Sequence, residues 1–346
     1  MMKIKLYTYG GAAMLLLLAS IVVSLSIGSA GLPLRDVWGI LVHQLPWMDG
    51  GVSKWDAGDI AIVTQLRLSR VLLAILVGAC LSLAGAGFQG VLRNPLADPF
   101  TLGVASGCSV GAAFLIVFGF QTVIGIWSVP LVAFITGIIT LLIVFTLSRA
   151  RGSMNVETLI LSGVIVQAFL GAIVSFMVSL SQGVVNEIMF WLMGSLSARS
   201  WEHVKLILPF LLVGFPVLIR YGQPLNLFVF GERHAAQMGI NVERTKLLVL
   251  ITSTLLTAVA VSIAGVVGFV GLVVPHLLRL LVGPDYRIII PLSAIGGGIY
   301  LLWADTLART MLSPKEISLG VVTALIGAPF FAYLLYRRKV LQGGSS

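Results

Sequence analysis

The sequence predicts an all-α polytopic membrane protein of about ten transmembrane helices, and three observations carry that prediction. First, the chain is too apolar to cover itself in water. Its mean hydropathy is +1.05 and 10% of its 346 residues are charged, where a soluble domain carries roughly 25%. Second, apolar runs recur along it near the ~20 residues that cross a ~30 Å hydrocarbon layer. Third, the charges between those runs divide unequally between the two sides of the layer.

In order, the runs fall at about 8–28, 68–91, 101–120, 124–148, 158–181, 204–221, 247–265, 268–283, 288–307 and 319–336. Lys3 and Lys5 precede the first and Ser-Ala-Gly follows it, a pattern shared with signal peptides. The length of the run and the embedded remainder favour a retained first helix. Gly is abundant at 38 residues, as suits helices that pack closely in lipid. Cys80 and Cys108 lie in apolar runs and read as packing residues rather than a disulfide.

With ten spans and a cytoplasmic start, both termini face the cytoplasm. Fourteen of the 22 Lys and Arg then fall inside, with the minority of the 13 acids. The whole net charge of +9 sits on that side, which is the positive-inside pattern and needs no nucleic acid to explain it. The whole chain, 1–346, reads as one permease domain with outer segments 29–66 and 182–203 and an inner polar segment 222–246. Trp38, Trp47 and Trp55 in the first suit a membrane interface. The second contains Met189-Phe190-Trp191-Leu192-Met193, too short to span and read as a helix lying at the outer mouth.

The residues also exclude chemistry. No Gly-x4-Gly-Lys-Ser/Thr phosphate loop occurs, so ATP hydrolysis, if used, belongs to another polypeptide. No His-Glu-x-x-His site occurs, and His43, His203, His234 and His276 are scattered. Buried acids, the mark of ion-coupled transporters, are scarce. Asp305 is the main one, at i,i+4 from Arg309, where a local ion pair is the plain reading and a proton relay the other. An ion-coupled secondary transporter of a small solute is the alternative function, and an intramembrane enzyme ranks behind it.

Several motifs stand out. Leu66-Arg67-Leu68-Ser69-Arg70 enters the second run, and RNPLADPFTLGVASG (93–107) follows it with two X-Pro steps that stiffen the turn. Later come GFVGLVVPHLLRLLVGPDYR (268–287), ADTLAR (304–309) and SPKEISLGVVTALIGAPFFAYLL (313–335). In the fifth run Gly163, Gln167, Gly171, Ser175 and Ser179 repeat at i,i+4 and give one small, polar face. That face serves close helix packing or lines water. In GERHAAQMGINVERTK (231–246), Gly239 can end a short helix and Asn241 can cap the next, making a compact knob.

These motifs, spread over nearly the whole chain, resemble the FecCD/BtuC-like family of binding-protein-dependent permeases that import iron-siderophores, haem and cobalamin. The resemblance implies a type II importer permease in the cytoplasmic (inner) membrane of a bacterium or archaeon. It implies a second permease subunit, expected as a homodimer, two ATP-binding subunits that hold ATP and Mg, and a periplasmic or lipid-anchored substrate-binding protein. Beyond these and membrane lipid no partner is implied, and the subunit itself holds no cofactor or metal. Arg67, Arg70 and Arg309 match arginines that meet glutamates of the binding protein, against the plainer reading of snorkelling anchors. Gly163, Gln167, Gly171 and Ser175 would line the pathway, and Asn94 and Leu96 would form part of an inner gate. Val156 and Glu157 depart from the family's pattern at a second gate. Gly231, Glu232, Arg233, Ala235, Ala236, Met238 and Gly239 match the segment that couples to the ATPase. The expected cargo is a ferric siderophore or a related metal chelate such as cobalamin or haem.

Overall fold

The computed structural model describes residues 2–28, 31–44, 54–125, 127–150, 153–181 and 183–343; Trp47 lies outside them. It is helical throughout, apart from a two-stranded hairpin of Arg149–Ala150 against Ser153–Met154. The helices are α1 (Met2–Ser26), α2 (Leu34–His43), α3 (Ala57–Leu92), α4 (Val104–Val117), α5 (Phe120–Ile124), α6 (Ser128–Ser148) and α7 (Val156–Leu180). They continue with α8 (Val185–Leu192), α9 (Trp201–Phe228), α10 (Glu232–Gln237), α11 (Val242–Ala264), α12 (Val270–Val282), α13 (Tyr286–Thr310) and α14 (Leu319–Gly343). Seven of these helices are long and apolar enough to cross a membrane, and α4, α12 and α14 contribute three shorter apolar stretches. Each of the ten expected spans overlaps one of these helices.

The long helix α3 is the axis of the bundle. Its apolar window is 83% buried, against 17% for α1 and 28% for α7, so its neighbours shield it where those helices stay on the outside. Burial in lipid gives little hydrophobic drive, so close contact must come from small residues. Gly78 of α3 faces Gly297 of α13, and Gly85 faces Gly271 of α12. A Cβ at either α3 position would overlap the facing carbonyl oxygen.

Two boundaries differ from the sequence reading. α3 begins near residue 57 rather than 68, because Asp56 accepts the Ala57 N–H at 2.9 Å and a π-helical turn at Ile62–Arg67 carries the helix into the apolar run. The described parts of outer segment 29–66 are thus largely helical, and Trp38 and Trp55 are half-buried and hydrogen-bonded. Trp38 Nε1 donates to Ser26 Oγ at 3.1 Å, and Trp55 Nε1 to Asp36 Oδ1 at 3.0 Å. At the other end, α9 runs to Phe228 through Pro209, Pro216 and Pro224, so segment 222–246 starts inside a helix. Lipid-exposed helices tolerate such prolines where neighbours satisfy the freed carbonyls.

The eighth run is a thirteen-residue helix, because the chain between α11 and α12 is not helical. Gly265 (φ 73°) ends α11 and Phe269 (φ 68°) starts α12, both left-handed. The break is stitched by backbone bonds: Ser195 N–H to Ala264 O at 2.8 Å, Leu319 N–H to Gly194 O at 2.9 Å and Gly320 N–H to Met193 O at 3.0 Å. The ends of α8, α11 and α14 meet there. The expected short helix in 182–203 is α8.

Candidate functional site

At the end of the bundle where α1 finishes, Arg67, Arg70 and Arg309 come together around a cavity of about 370 Å³. Arg199, from the loop before α9, and Glu316 complete its wall. Arg70 is clamped. Its Nε lies 3.0 Å and its Nη2 2.9 Å from Asp305 Oδ1, while Nη1 and Nη2 reach Glu316 at 2.8 and 3.1 Å. Arg309 donates to the carbonyls of Ile27 and Ser24, both at 2.8 Å, and Arg67 to that of Leu25 at 3.2 Å. These carbonyls at the end of α1 attract cations through the helix dipole.

The three expected docking arginines are therefore brought together, but their charges are already engaged. Arg67 is 6% and Arg309 7% exposed, so neither is a snorkelling anchor at the surface. Four arginines line the cavity, and two carboxylates, Glu316 and the buried Asp305, answer them. Among the described residues of this cluster the arginines outnumber the carboxylates by two. Burial would raise the Glu316 carboxyl, but the Arg70 hydrogen bond and charge outweigh it and hold the carboxyl below its ordinary range. Asp305 does pair with Arg309 as expected, at 3.4 Å, but its principal partner is Arg70. Sequence reasoning missed that pairing and missed Arg199. Asp305 lies 235 residues from Arg70, and no local pattern links them.

The expected polar stripe on α7 splits. Gly163 is buried against Thr101 and Leu102, where a Cβ would overlap the Thr101 carbonyl oxygen, so it serves packing. Gln167 and Ser175 are exposed, and nothing in the chain lies within 4 Å of a Cβ on Gly171. The outer part of the stripe is thus free of the chain's own side chains. Leu161, Phe169 and Phe176 on the same helix are exposed too.

Between α3 and α4 the 93–103 loop is held by its own side chains. Asn94 Oδ1 accepts the Leu96 N–H at 2.9 Å, and Asp98 Oδ1 accepts the Phe100 N–H at 2.8 Å ahead of the 3-10 turn Pro99–Leu102. Arg93 (φ 51°) ends α3 in the left-handed region. Asn94 and Leu96 are exposed on this stiff turn. Burial pushes the Asp98 carboxyl up to about 6, against the opposing pull of the Phe100 N–H.

The knob forms at the end of the bundle opposite the arginine cavity. Gly231 (φ 102°) turns the chain out of α9, and α10 follows. Gly239 (φ 82°) ends it, donating to Ala236 O at 3.0 Å, while Ile240 N–H reaches Ala235 O at 3.1 Å. Asn241 Oδ1 accepts the Arg244 N–H at 3.0 Å and caps α11. Lys246, 2% exposed, bonds Glu232 at 2.9 Å and Glu243 at 3.0 Å, tying α10 to α11. Ala235 is fully buried in the bundle, so of the expected coupling residues it is the one whose side chain faces inward. Of the expected coupling residues Arg233, Ala236, Met238 and Gly239 are exposed, together with His234 and Gln237 and flanked by exposed Val229 and Phe230.

Next to the knob, Asp285 caps α13. It accepts the Arg287 N–H at 3.0 Å and Asn226 Nδ2 at 2.6 Å. Hydrogen bonding from Arg287, with Asn226 adding to it, pulls the Asp285 carboxyl down to about 2.

A multi-span bundle with a stitched helix break, a basic cavity at one end and a rigid knob at the other defines a class, the membrane permeases. The FecCD transport family profile matches residues 16–337, and the chain belongs to that family. It is similar to the cobalamin import system permease protein BtuC of Halobacterium salinarum, 41% identical over 362 residues that cover 96% of each protein. It is similar also to the hemin transport system permease protein HmuU of Yersinia pestis, 36% identical over 341 residues, 96% of this chain and 97% of that one. A solved structure described as a metal-chelate type ABC transporter in an inward-facing conformation superposes with a TM-score of 0.80. It is 34% identical and covers 94% of this chain and 98% of its own. The chain is accordingly a multi-pass integral membrane protein and a permease subunit of the ABC importer type.

Proposed function

We propose that the chain pairs with a second copy to form the pathway by which a metal chelate, a ferric siderophore first and cobalamin or haem next, enters a bacterial or archaeal cell. The observation that carries this reading is the knob: an exposed small-faced helix locked to the bundle by a buried lysine. A flexible loop would absorb a partner's motion, whereas a locked one passes it on. Two ATP-binding subunits that hold ATP and Mg act on Arg233, Ala236, Met238 and Gly239 from the cytoplasm, where both termini also lie. Gly231 sets the exit angle, Glu232 ties the knob to Lys246, and Ala235 seats it.

At the other end a substrate-binding protein docks over the arginine cavity, whose excess positive charge suits its carboxylates. Gln167, Gly171 and Ser175 line the route, with Gly163 holding their helix against the 99–103 turn, and Asn94 and Leu96 narrow its inner end. The relatives named for cobalamin and hemin and the metal-chelate transporter support this choice of cargo. Ion coupling is disfavoured because the buried acid Asp305 is already engaged by two arginines.

The test is uptake of a ferric hydroxamate into proteoliposomes carrying the chain, its ATP-binding subunits and its binding protein. Uptake should require ATP and survive collapse of the proton gradient. Uptake that ignores ATP and follows the gradient would overturn the reading.

A further inference from the structure

A groove of about 560 Å³ opens on the side of the bundle between α1, α12, α13 and α14, and none of the roles above uses it. Ala12 and Leu16 of α1, Leu278 and Leu281 of α12, Gly296 of α13 and Ile326 of α14 are among the residues that line it. The wall is apolar. On the α13 side, Trp303 Nε1 donates to Ser20 Oγ at 3.0 Å and Tyr300 OH to Thr323 O at 3.3 Å, so both polar tips are already answered by the protein. A polar ligand would give up water there and find no partner, whereas a hydrocarbon loses nothing.

The dimensions point the same way. The α13 side of the groove runs from Leu292 to Ala304, about 18 Å at 1.5 Å per residue. One leaflet of a ~30 Å hydrocarbon layer is about 15 Å deep. The groove therefore follows the depth of one leaflet. It is open to lipid along its rim, where Leu16, Leu281 and Ile326 are exposed.

The end of the groove nearer the knob carries a cation. Lys5 stands one turn before Tyr9 on α1 and is exposed, and its Nζ donates at 3.4 Å to the carbonyl of Val282, the last residue of α12. Tyr9 and Val282 both line the groove, so the ammonium sits at its mouth. That bond uses one of an ammonium's three protons. Asp285, three residues beyond Val282, is already held by Arg287 and Asn226. Exposed Tyr7 and Tyr9 stand at the same level, as aromatic rings do beside lipid headgroups.

We propose that the groove holds one acyl chain of an anionic phospholipid from the leaflet at the knob end, with the lipid's phosphate against Lys5. The hydrocarbon wall selects a chain, and the ammonium at its mouth selects a negative headgroup over a zwitterionic one. The bound chain fills the space that α1 leaves beside α12 and α13. The site does not rest on the cargo or the direction of transport.

The test places the full chain in nanodiscs of equal phosphatidylglycerol and phosphatidylcholine, extracts it into detergent, and counts the lipids kept per chain by native mass spectrometry. The parent should keep one phosphatidylglycerol in preference to phosphatidylcholine. Lys5→Gln should lower that retention about fivefold and erase the preference. Ala12→Trp, at an exposed position, should fill the groove and release both lipids. Lys205→Gln removes an exposed charge at the other end of the bundle and should change nothing. Should Ala12→Trp not fold, Lys5→Gln carries the test alone. No retained lipid, equal retention of the two lipids, or an unaltered preference in Lys5→Gln overturns the site. So does a lipid-free dimer that Ala12→Trp dissociates, which would give the groove to a second copy of the chain.

Discussion

Arg70 and Asp305 stand on different helices and grip each other through Nε at 3.0 Å and Nη2 at 2.9 Å, with the Asp305 side chain 1% exposed. Arg309 approaches the same carboxylate from below at 3.4 Å and is anchored to the end of α1. One buried acid thus joins α1, α3 and α13.

Removing that acid leaves Arg70 with Glu316 alone and Arg309 with backbone carbonyls alone to answer their charges. Breaking a buried pair from one side typically costs about 3–5 kcal/mol. Asp305→Asn keeps the shape and should lose stability of that order, seen as a lower melting temperature in detergent. Adding Arg70→Met should recover part of the loss, because the under-compensated charge goes with it. A single variant as stable as the parent would show that the cluster carries no structural weight.

The knob separates two neighbouring alanines. Ala235 is fully buried, so Ala235→Leu should overpack its seat and cost roughly 1–3 kcal/mol. Ala236 is exposed, so Ala236→Trp should fold normally, keep binding-protein docking and uncouple ATP hydrolysis from uptake. Lys246→Met should loosen the knob by freeing Glu232, visible as faster hydrogen exchange at residues 232–238. Coupled transport at the parent rate in Ala236→Trp would remove the knob from the mechanism.

Much of this was legible in the sequence because it rests on local chemistry. Hydropathy located the ten spans, Gly239 and Asn241 marked the knob's boundaries, and Asn94 and Asp98 marked the turns of the 93–103 loop. What was hidden depends on distant partners. Arg67, Arg70 and Arg309 look like surface charges until α1 and α13 close over them. The stripe on α7 looks uniform until Gly163 meets Thr101. Ala235 and Ala236 are indistinguishable until α10 chooses the face it buries. The break at 265–269 fell between the expected spans 247–265 and 268–283, but the backbone bonds that stitch the ends of α8, α11 and α14 there have no local signal.

The glycine contacts around α3 give a contrast within one residue type. A methyl at Gly85 collides with the Gly271 backbone, which cannot move aside as a side chain can. Gly85→Ala should therefore cost at least about 3 kcal/mol, or block folding outright. Gly171→Ala meets nothing within 4 Å and should leave stability unchanged or slightly higher through better helix propensity. Because Gly171 faces away from its own chain, the same variant should alter uptake of the chelate without altering yield. Equal expression and melting temperature for the two would contradict the close approach of α3 and α12.

Asp98 makes the 93–103 loop sensitive to pH. Its folded carboxyl lies at about 6, above the ordinary 3.8, chiefly because burial disfavours the charge. The folded loop therefore holds the proton more tightly than an unfolded one. The stabilisation is fully present below about pH 4, declines as pH rises and is gone above about pH 6, a span worth roughly 2–3 kcal/mol. Asp98→Asn keeps an oxygen to accept the Phe100 N–H and has no charge to lose, so its stability should be flat across the same window. Hydrogen exchange of residues 99–103 between pH 4.5 and 7.5, corrected for the intrinsic rate, measures this directly. Protection in the parent should fall toward neutral pH while that of the variant stays level. A parent loop whose protection does not change, or a variant with the same slope, would assign the pH response to another group.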